Sequence, residues 1–507
     1  MNAVGSFAGV EAFRSLLAER LGLQFDDSKL SELAELLDRR VSINKEPTDR
    51  YLDSLPVRRA ELRSLAHALT VHETYFFRNG DQFRAFTDYV LPDLIRANAG
   101  SRRLRILSAG CASGEEPYSL AMLLTERSEL SGWSVSIKGV DVSIAMLDAA
   151  AGGRYSAWAL RDTPAETQAR YFKSEGRDFV LDPAIKNKVR FEEHNLADPE
   201  RVGPLEPEGF DIIFCRNVIM YFTPAAAKRV VARLSRSLAP GGFLFLGHAE
   251  TLRGLSQDFH LRQSHGTFYY QLREPGTVPS NASERLSSAP AAETRAASPI
   301  LSRDDSWVDT IRNASERIQA LTDPARRLPT EAAPENARRA GHNLDAALDL
   351  LHRERFTEAS SLLGALPENA ARDPDVLLLK AVLMTHGGDL ATAERLSREL
   401  LDIDELSAGA HYILALCRES AGDLRGAHEH DEAARYLDPT FAMPQLHLGL
   451  LARRSGDRDH ARLELQRALS LLLREDAARV LMFGGGFNRD ALLALCRAEL
   501  QSCGGPL

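Results

Sequence analysis

The sequence predicts three parts: a helical N-terminal domain, an α/β domain with a mostly parallel sheet, and an all-α repeat array. Three observations carry this. Apolar residues recur at helical spacing with hardly any strand-like alternation through residues 1–95. From residue 104 short apolar runs alternate with helical segments, the pattern of βαβ units. After residue 340 small residues return every 34 positions, the period of a helix–turn–helix array. A chain of 507 residues also exceeds what one hydrophobic core organises.

In the first block, AFRSLLAERLGL and LSELAELLDRRV each place apolar side chains on one helical face. The block holds HETYFFR (His72 to Arg78), in which an acid, a hydroxyl, three aromatics and a cation stand together. The second block, 96–273, opens with the strand LRILSAG, followed by the helix EEPYSLAMLLTERSEL. SIKGVDV is the next strand and SIAMLDAAA the next helix. FDIIFCRNV, the helix AAAKRVVARLSRSLA, the turn PGG and the strand FLFLGHAE complete the alternation.

Residues 274–335 shift to Pro, Ala, Ser and Thr, as in EPGTVPSNASERLSSAPAAETRAASP. Such composition buries too little apolar surface to offset its ordering entropy, so a flexible linker is expected, interrupted by a short helix near SWVDTIRNASERIQAL. In 336–507 the turns GGDLATAE, AGDLRGAH and SGDRDHAR carry Ala393, Ala427 and Ala461, 34 apart, with Ala359 one period earlier. Twelve residues before each stands another small residue: Ala347, Ala381, Ala415 and Gly449. Over about 340–474 the chain resembles the tetratricopeptide repeats, whose small residues let paired helices approach. EDAARVLMFGGGFNRDALLALCRAEL reads as a terminal cap. Its glycines 484–486 read as a turn before a helix near Asn488, because the Lys-Ser/Thr ending of a phosphate loop is missing.

Composition narrows the function classes. A formal net charge of −9 argues against a general nucleic-acid binder. No apolar run approaches the roughly 20 residues that cross a bilayer, and the N-terminus lacks a basic segment leading into an apolar one. Five scattered cysteines without a CxxC pair fit reduced thiols and offer no zinc spacing. A cytoplasmic protein without a metal site or direct membrane insertion is expected.

The middle block carries the chemistry. Gly110 and Gly114 in RILSAGCASGEEPYSL stand where a strand gives way to a helix, so a ligand can approach the backbone at a helix N-terminus. Asp141 ends the second strand, placed to accept both hydroxyls of a ribose. Ser143 is the better cap for the helix that follows. Turn and acid together point to an adenosine-containing cofactor, and leave a nicotinamide dinucleotide and S-adenosylmethionine both open.

GEEPYSL after a strand, HETYFFR upstream, FDIIFCRN and FCRNVIMYF downstream, and GHAETL at 247–252 resemble the CheR-type chemotaxis-receptor methyltransferases, over roughly residues 10–272. The resemblance implies a helical domain joined to a class I (Rossmann-like) methyltransferase domain, with S-adenosyl-L-methionine as the methyl donor and receptor glutamates as acceptors. It implies that His72, Thr74 and Arg78 lie over the cofactor, that Glu116 meets its methionine-amino end and Asp141 its ribose, and that Asn195 and Leu196 flank the adenine. Arg216 and Asn217 would line the pocket, and Tyr221 would stand with Arg78 at the methyl-transfer site. His72 occupies a position where the family usually has Asn; imidazole still donates or accepts, so retained binding with altered pH sensitivity is expected.

In the family a small β-subdomain helps dock receptor tails; YFKSEGRDFVLDPAIKNKVRF (171–191) occupies that place with a short turn. RRAELR (58–63) and DRR (38–40) offer a basic face toward an acidic receptor helix. The expected partners are a chemoreceptor cytoplasmic domain as substrate and a protein or peptide on the repeat surface. The alternative is a signalling scaffold that senses the cofactor without catalysis. A methyltransferase acting on nucleic acid or a small molecule is disfavoured by the acidic balance and by CRNV in place of an NPPY-like motif.

Overall fold

The computed structural model describes residues 3–70, 73–198, 203, 205, 207, 209–274, 346, 347, 350, 355–366, 372–485 and 487–504. The chain divides into two compact units, Met1–Thr277 and Val278–Leu507. The expected linker, 274–335, and its short helix lie outside the described residues except at Glu274.

The first unit opens with helices α1 (Ala3–Leu21), α2 (Leu30–Asn44), α3 (Thr48–Ser54) and α4 (Arg59–Leu69). Their cores follow the sequence spacing. Phe13, Leu17 and Leu21 of α1, Leu33, Leu36 and Leu37 of α2, and Leu65 of α4 share one buried cluster with Tyr51. The Tyr51 hydroxyl and the Arg40 guanidinium both donate to Glu61, which satisfies the polar atoms where α2, α3 and α4 meet. Helices α5 (Gly80–Ala85) and α6 (Leu91–Ala97) lead into the sheet.

Strands β1 (Arg103–Ala109) and β2 (Ser134–Asp141) follow, with α7 (Glu115–Thr125) between them and α8 (Ile144–Gly152) after them. Next come β3 (Arg154–Ser156), α9 (Ala165–Tyr171), β4 (Phe172–Glu175), β5 (Asp178–Leu181), α10 (Pro183–Lys186) and β6 (Val189–Glu193). The unit closes with β7 (Phe210–Cys215), α11 (Pro224–Ser237), β8 (Leu238–Leu246), β9 (Phe259–Ser264) and β10 (Thr267–Leu272). The main sheet runs β6-β2-β1-β7-β8-β10-β9, and β3-β5-β4 form a separate antiparallel sheet. The first five strands pair in parallel, while β10 pairs antiparallel to β8 and β9. The chain moves outward from β1 in one direction, then restarts at β7 on its other side. That reversal opens a crevice beyond the carboxyl ends of β1 and β7, where open α/β sheets hold ligands.

Two local features differ from the expectation. The Pro-Gly-Gly turn lies inside β8: Phe210 pairs with Leu238 and Ile212 with Phe243, so the extra residues loop out as a bulge, with Gly241 at φ +72°. The hairpin β9–β10 was not anticipated. His265 and Gly266, at φ +50° and +66°, form its two-residue turn, the geometry that matches strand twist.

The second unit contains α12 (Phe356–Gly364) and the pairs α13 (Pro374–His386) with α14 (Leu390–Ile403), α15 (Ala408–Ser420) with α16 (Leu424–Leu437), and α17 (Ala442–Arg454) with α18 (Arg458–Leu472). Then follow α19 (Ala477–Phe483) and α20 (Arg489–Ser502). The recurrent Gly-Asp dipeptide has a mechanical cause. Gly388, Gly422 and Gly456 take φ of +76° to +85°, and the next residue, Asp389, Asp423 or Asp457, caps the second helix through a backbone N–H. The periodic alanines 359, 381, 393, 415, 427 and 461 are fully buried. At Gly449 a Cβ would stand 2.7 Å from Leu465 Cγ, so the third pair needs glycine where the others take alanine. One period beyond Gly449 stands Phe483, which cannot make that close approach. Its ring instead packs on Phe441 and Tyr412, centroids 4.9 and 6.0 Å away, and ends the repeat. These are tetratricopeptide helix pairs.

Candidate functional site

At the mouth of the β1–β7 crevice the backbone turns sharply. Gly110 sits at φ +76°, and a Cβ there would fall 2.4 Å from Val218 Cγ2. Only glycine lets the β1 loop pass under the β7 loop. Gly114, at φ +90°, starts α7 with no room for a side chain between Ala150 and Phe191.

Asp141, almost fully buried, accepts the Ala112 N–H on one carboxylate oxygen and the Ser143 N–H on the other, both at 2.9 Å. A carboxylate oxygen can accept more than one hydrogen bond. Ser143 is the cap of α8, and its hydroxyl lies 2.7 Å from His67 Nδ1 of α4. Glu116 takes the Ser108 hydroxyl at 2.6 Å and Arg216 Nη1 at 3.2 Å. Burial raises the Glu116 carboxyl above its ordinary range, against the pull of Arg216, while burial lowers Arg216. The neighbouring Glu115 is pushed up to about 7 by burial, despite the Ser113 hydroxyl it accepts.

Arg216 reaches across to the HETYFFR loop, donating from Nη2 to the Arg78 carbonyl at 2.5 Å and to Asn79 Oδ1 at 2.7 Å. That loop is irregular, with Phe77 and Asn79 at positive φ. Its aromatics divide. Phe76 is fully buried against Tyr155 and Phe172, and Phe77 packs on Phe83. Tyr75 turns outward to Trp158 and Arg161, so only two of the three rings anchor Arg78 from the core side. Arg78 Nη1 donates to the Glu73 carbonyl at 2.7 Å, and among the described residues no carboxylate pairs with it.

The loop after β7 carries Asn217, at φ +58°, and Tyr221. Glu250 holds it: one carboxylate oxygen accepts the N–H of Asn217 and of Gly247, both at 2.7 Å, the other those of Val218 at 2.8 Å and Met220 at 3.2 Å. Sequence reading matched GHAETL without giving Glu250 a role; an acid within a glycine-led turn was its only signal. From the other side, Gln24 N–H donates to the Tyr221 carbonyl at 2.8 Å, and Leu23 bridges Phe222. The end of α1 is thus stitched to the segment that bears Tyr221.

Two adjoining cavities of about 720 and 810 Å³ share Gly110, Ala112, Asn217 and Tyr221. The first is walled by Leu21, Leu23, Val142, Leu196 and Phe222 and contains Asp141 and Asn195. The second is lined by Thr74, Tyr75, Arg78, Glu116, Arg216 and Tyr221. Every expected site residue that the structure describes therefore lines one cavity or the other; His72 lies outside the described residues. Asn217 Oδ1 is buried without a hydrogen-bond partner, and Glu116 lines the same cavity as Asn217. An apolar chamber with a carboxylate beside a polar chamber with an orphan acceptor and an acid suits a purine nucleoside carrying a cationic amino-acid tail.

The family model described as the CheR methyltransferase S-adenosylmethionine-binding domain matches residues 72–268. Chemotaxis protein methyltransferase 1 of Pseudomonas aeruginosa is 34% identical over 275 residues, 52% of this chain and 97% of that protein. The chain belongs to the CheR methyltransferase family. S-adenosylmethionine is its cofactor. The probable biofilm formation methyltransferase WspC of the same organism is 29% identical over 463 residues, 90% of this chain and 98% of that one. An uncharacterized 104.1 kDa protein of Rhodobacter capsulatus is 33% identical over 287 residues, and this chain spans only 29% of its length. No helix among the described residues is long and apolar enough to cross a membrane.

The basic face expected on the helical segment is mostly neutralised within the CheR-family unit itself. Arg40 pairs with Glu61, Arg58 with Glu46 and Arg63 with Glu193. Cations with internal partners contribute less to an outside acid.

Proposed function

We propose that the chain transfers methyl groups to glutamate side chains of a chemoreceptor cytoplasmic domain, in the cytoplasm, while its repeats dock a protein or peptide partner. One observation carries the reading: Arg78 and Tyr221, from different segments, line the same cavity, and Arg78 has no carboxylate partner among the described residues.

Bound S-adenosylmethionine supplies an electrophilic methyl carbon on a sulfonium that leaves as a neutral thioether. The acceptor carboxylate, with a reference pKa of about 4.3, is already ionised near neutrality, so no residue has to remove a proton. The protein's tasks are orientation and desolvation. In this reading Asp141 holds the ribose diol, Asn195 and Leu196 flank the adenine, and Glu116 with Asn217 meets the amino end. Thr74 and His72 are the proposed contacts over the cofactor, and Arg216 fixes the Arg78 loop through its carbonyl.

Arg78 then orients the acceptor with a planar fork that cannot itself act as a base, and Tyr221 adds a second donor. Burying a lone carboxylate costs several kcal/mol; the guanidinium offsets that, and alignment supplies up to roughly 7–11 kcal/mol of the barrier in favourable models. Incubating the full chain with tritiated cofactor and a receptor cytoplasmic domain tests this. Label released by mild base as methanol is expected. Absence of transfer, leaving a scaffold, or a base-stable product overturns the proposal.

A further inference from the structure

Arg161 follows the turn Ala157–Leu160 and is exposed. Its guanidinium carbon lies 3.4 Å from the centroid of Tyr75 and 3.5 Å from that of Trp158, in the corner the two rings make at 75°. Nη1 donates to the Trp158 carbonyl at 2.9 Å. One of five N–H donors is thereby used, and among the described residues no carboxylate pairs with Arg161. Trp158 itself is 51% exposed. A rigid, unpaired guanidinium beside a half-exposed indole has the composition that dominates recognition surfaces. The arginines of the helical segment, by contrast, are mostly paired internally.

The stack stands at the cleft rather than at a random surface. Tyr75 lines the polar cavity with Arg78 and Tyr221, and the Arg78 guanidinium carbon is 5.7 Å from the same Tyr75 ring. Through that shared ring the two guanidinium carbons are at most about 9 Å apart, the sum of 5.7 and 3.4 Å. Glu116 feels the Arg78 charge but is already bonded to Ser108 and Arg216, and no carboxylate among the described residues pairs with Arg161, so an incoming acid relieves the repulsion between the two guanidinium groups. On a helix, side chains three or four residues apart have Cβ atoms about 5–6 Å apart. Two glutamates one turn apart therefore span the gap.

We propose that Arg161, clamped by Tyr75 and Trp158, is a second carboxylate subsite that reads an acidic side chain one helical turn from the glutamate held by Arg78. The inference rests on the methyl-transfer reading for Arg78 but concerns recognition, so binding tests it separately from turnover. The aromatic clamp removes the rotamer entropy that an exposed arginine would otherwise lose on binding. The planar fork, rather than charge alone, makes the contact.

The test uses the full chain with S-adenosylhomocysteine and two helical peptides. One carries glutamates at positions i and i+4; the other has glutamine at i+4. Fluorescence anisotropy is expected to show the first peptide binding about tenfold tighter. Arg161→Gln should abolish that difference, Arg161→Lys should restore only part, and Trp158→Ala should weaken it with the charge intact. With tritiated cofactor the Arg161→Gln loss should appear in KM and leave kcat nearly unchanged. Equal binding of the two peptides, no binding of either, or an unchanged preference in Arg161→Gln overturns the subsite, whether or not methyl transfer occurs. Retained preference without any transfer supports the subsite and removes the methyl-transfer reading instead.

Discussion

Glu250 offers a sharp test of how the cleft is held, because one buried carboxylate accepts four backbone N–H groups. Glu250→Gln keeps the shape and replaces one oxygen by an NH2 group. Whichever oxygen is lost, two N–H donors then face a donor. A hydrogen bond to a charged group contributes about 1.5–3 kcal/mol, so losing two gives roughly 3–6 kcal/mol. Relaxation of the exposed Met220 turn reduces that figure, since its 3.2 Å bond is the longest of the four. The cost falls on the segment from Asn217 to Tyr221, which lines both cavities. Calorimetric titration with S-adenosylhomocysteine should show affinity down at least tenfold, with a lower melting temperature for the first unit. A Glu250→Gln protein that melts and binds like the parent would refute the claim that this carboxylate positions the loop.

Two further outcomes are expected. Asp141→Ala removes the acceptor at the end of β2 and should weaken cofactor binding by roughly 10–100-fold, about 1.5–3 kcal/mol, in the same titration; unchanged affinity would reduce Asp141 to an anchor for the Ala112 and Ser143 N–H groups. The second concerns pH. His411 and His430, buried with their Nδ1 atoms 3.0 Å apart, are both lowered by burial, His411 from 6.5 to about 4. An unfolded chain takes up protons at these sites below about 6.5, whereas the folded repeats resist until about 4. Stability therefore rises with pH between those values and is lost as pH falls through them, on the order of 3 kcal/mol for His411. Between pH 7 and pH 5 the His411 share is about 2 kcal/mol, so in urea unfolding of the full chain the repeat transition of the parent should lose about that much more stability than that of His411→Leu. Equal losses in the two proteins would contradict it.

Much of the architecture was legible because it is local. Phe13, Leu17 and Leu21 announce a helix by spacing alone, and the recurring Gly-Asp dipeptides mark turns whose positive φ and cap are set within four residues. Gly110 and Asp141 are legible for the same reason, standing where a strand ends. What escaped depends on partners distant in sequence. Glu250 matters through N–H groups some 30 residues away. Tyr75 looked like its aromatic neighbours, yet it leaves the core because Arg161, from another turn, stacks on it. Arg40, Arg58 and Arg63 read as part of a basic face, whereas in the fold Glu61, Glu46 and Glu193 pair with them. The β9–β10 hairpin has a local signal, a His-Gly turn between alternating residues.

On the proposed reading the planar fork of Arg78 aligns the acceptor, and single-turnover methyl transfer by Arg78→Lys measures that role. A lysine keeps the charge but offers a point rather than a plane. Cofactor affinity should stay within a few-fold of the parent while the transfer rate falls at least a hundredfold, about 2.7 kcal/mol of barrier. A Lys protein that methylates the receptor domain at the parental rate would contradict it.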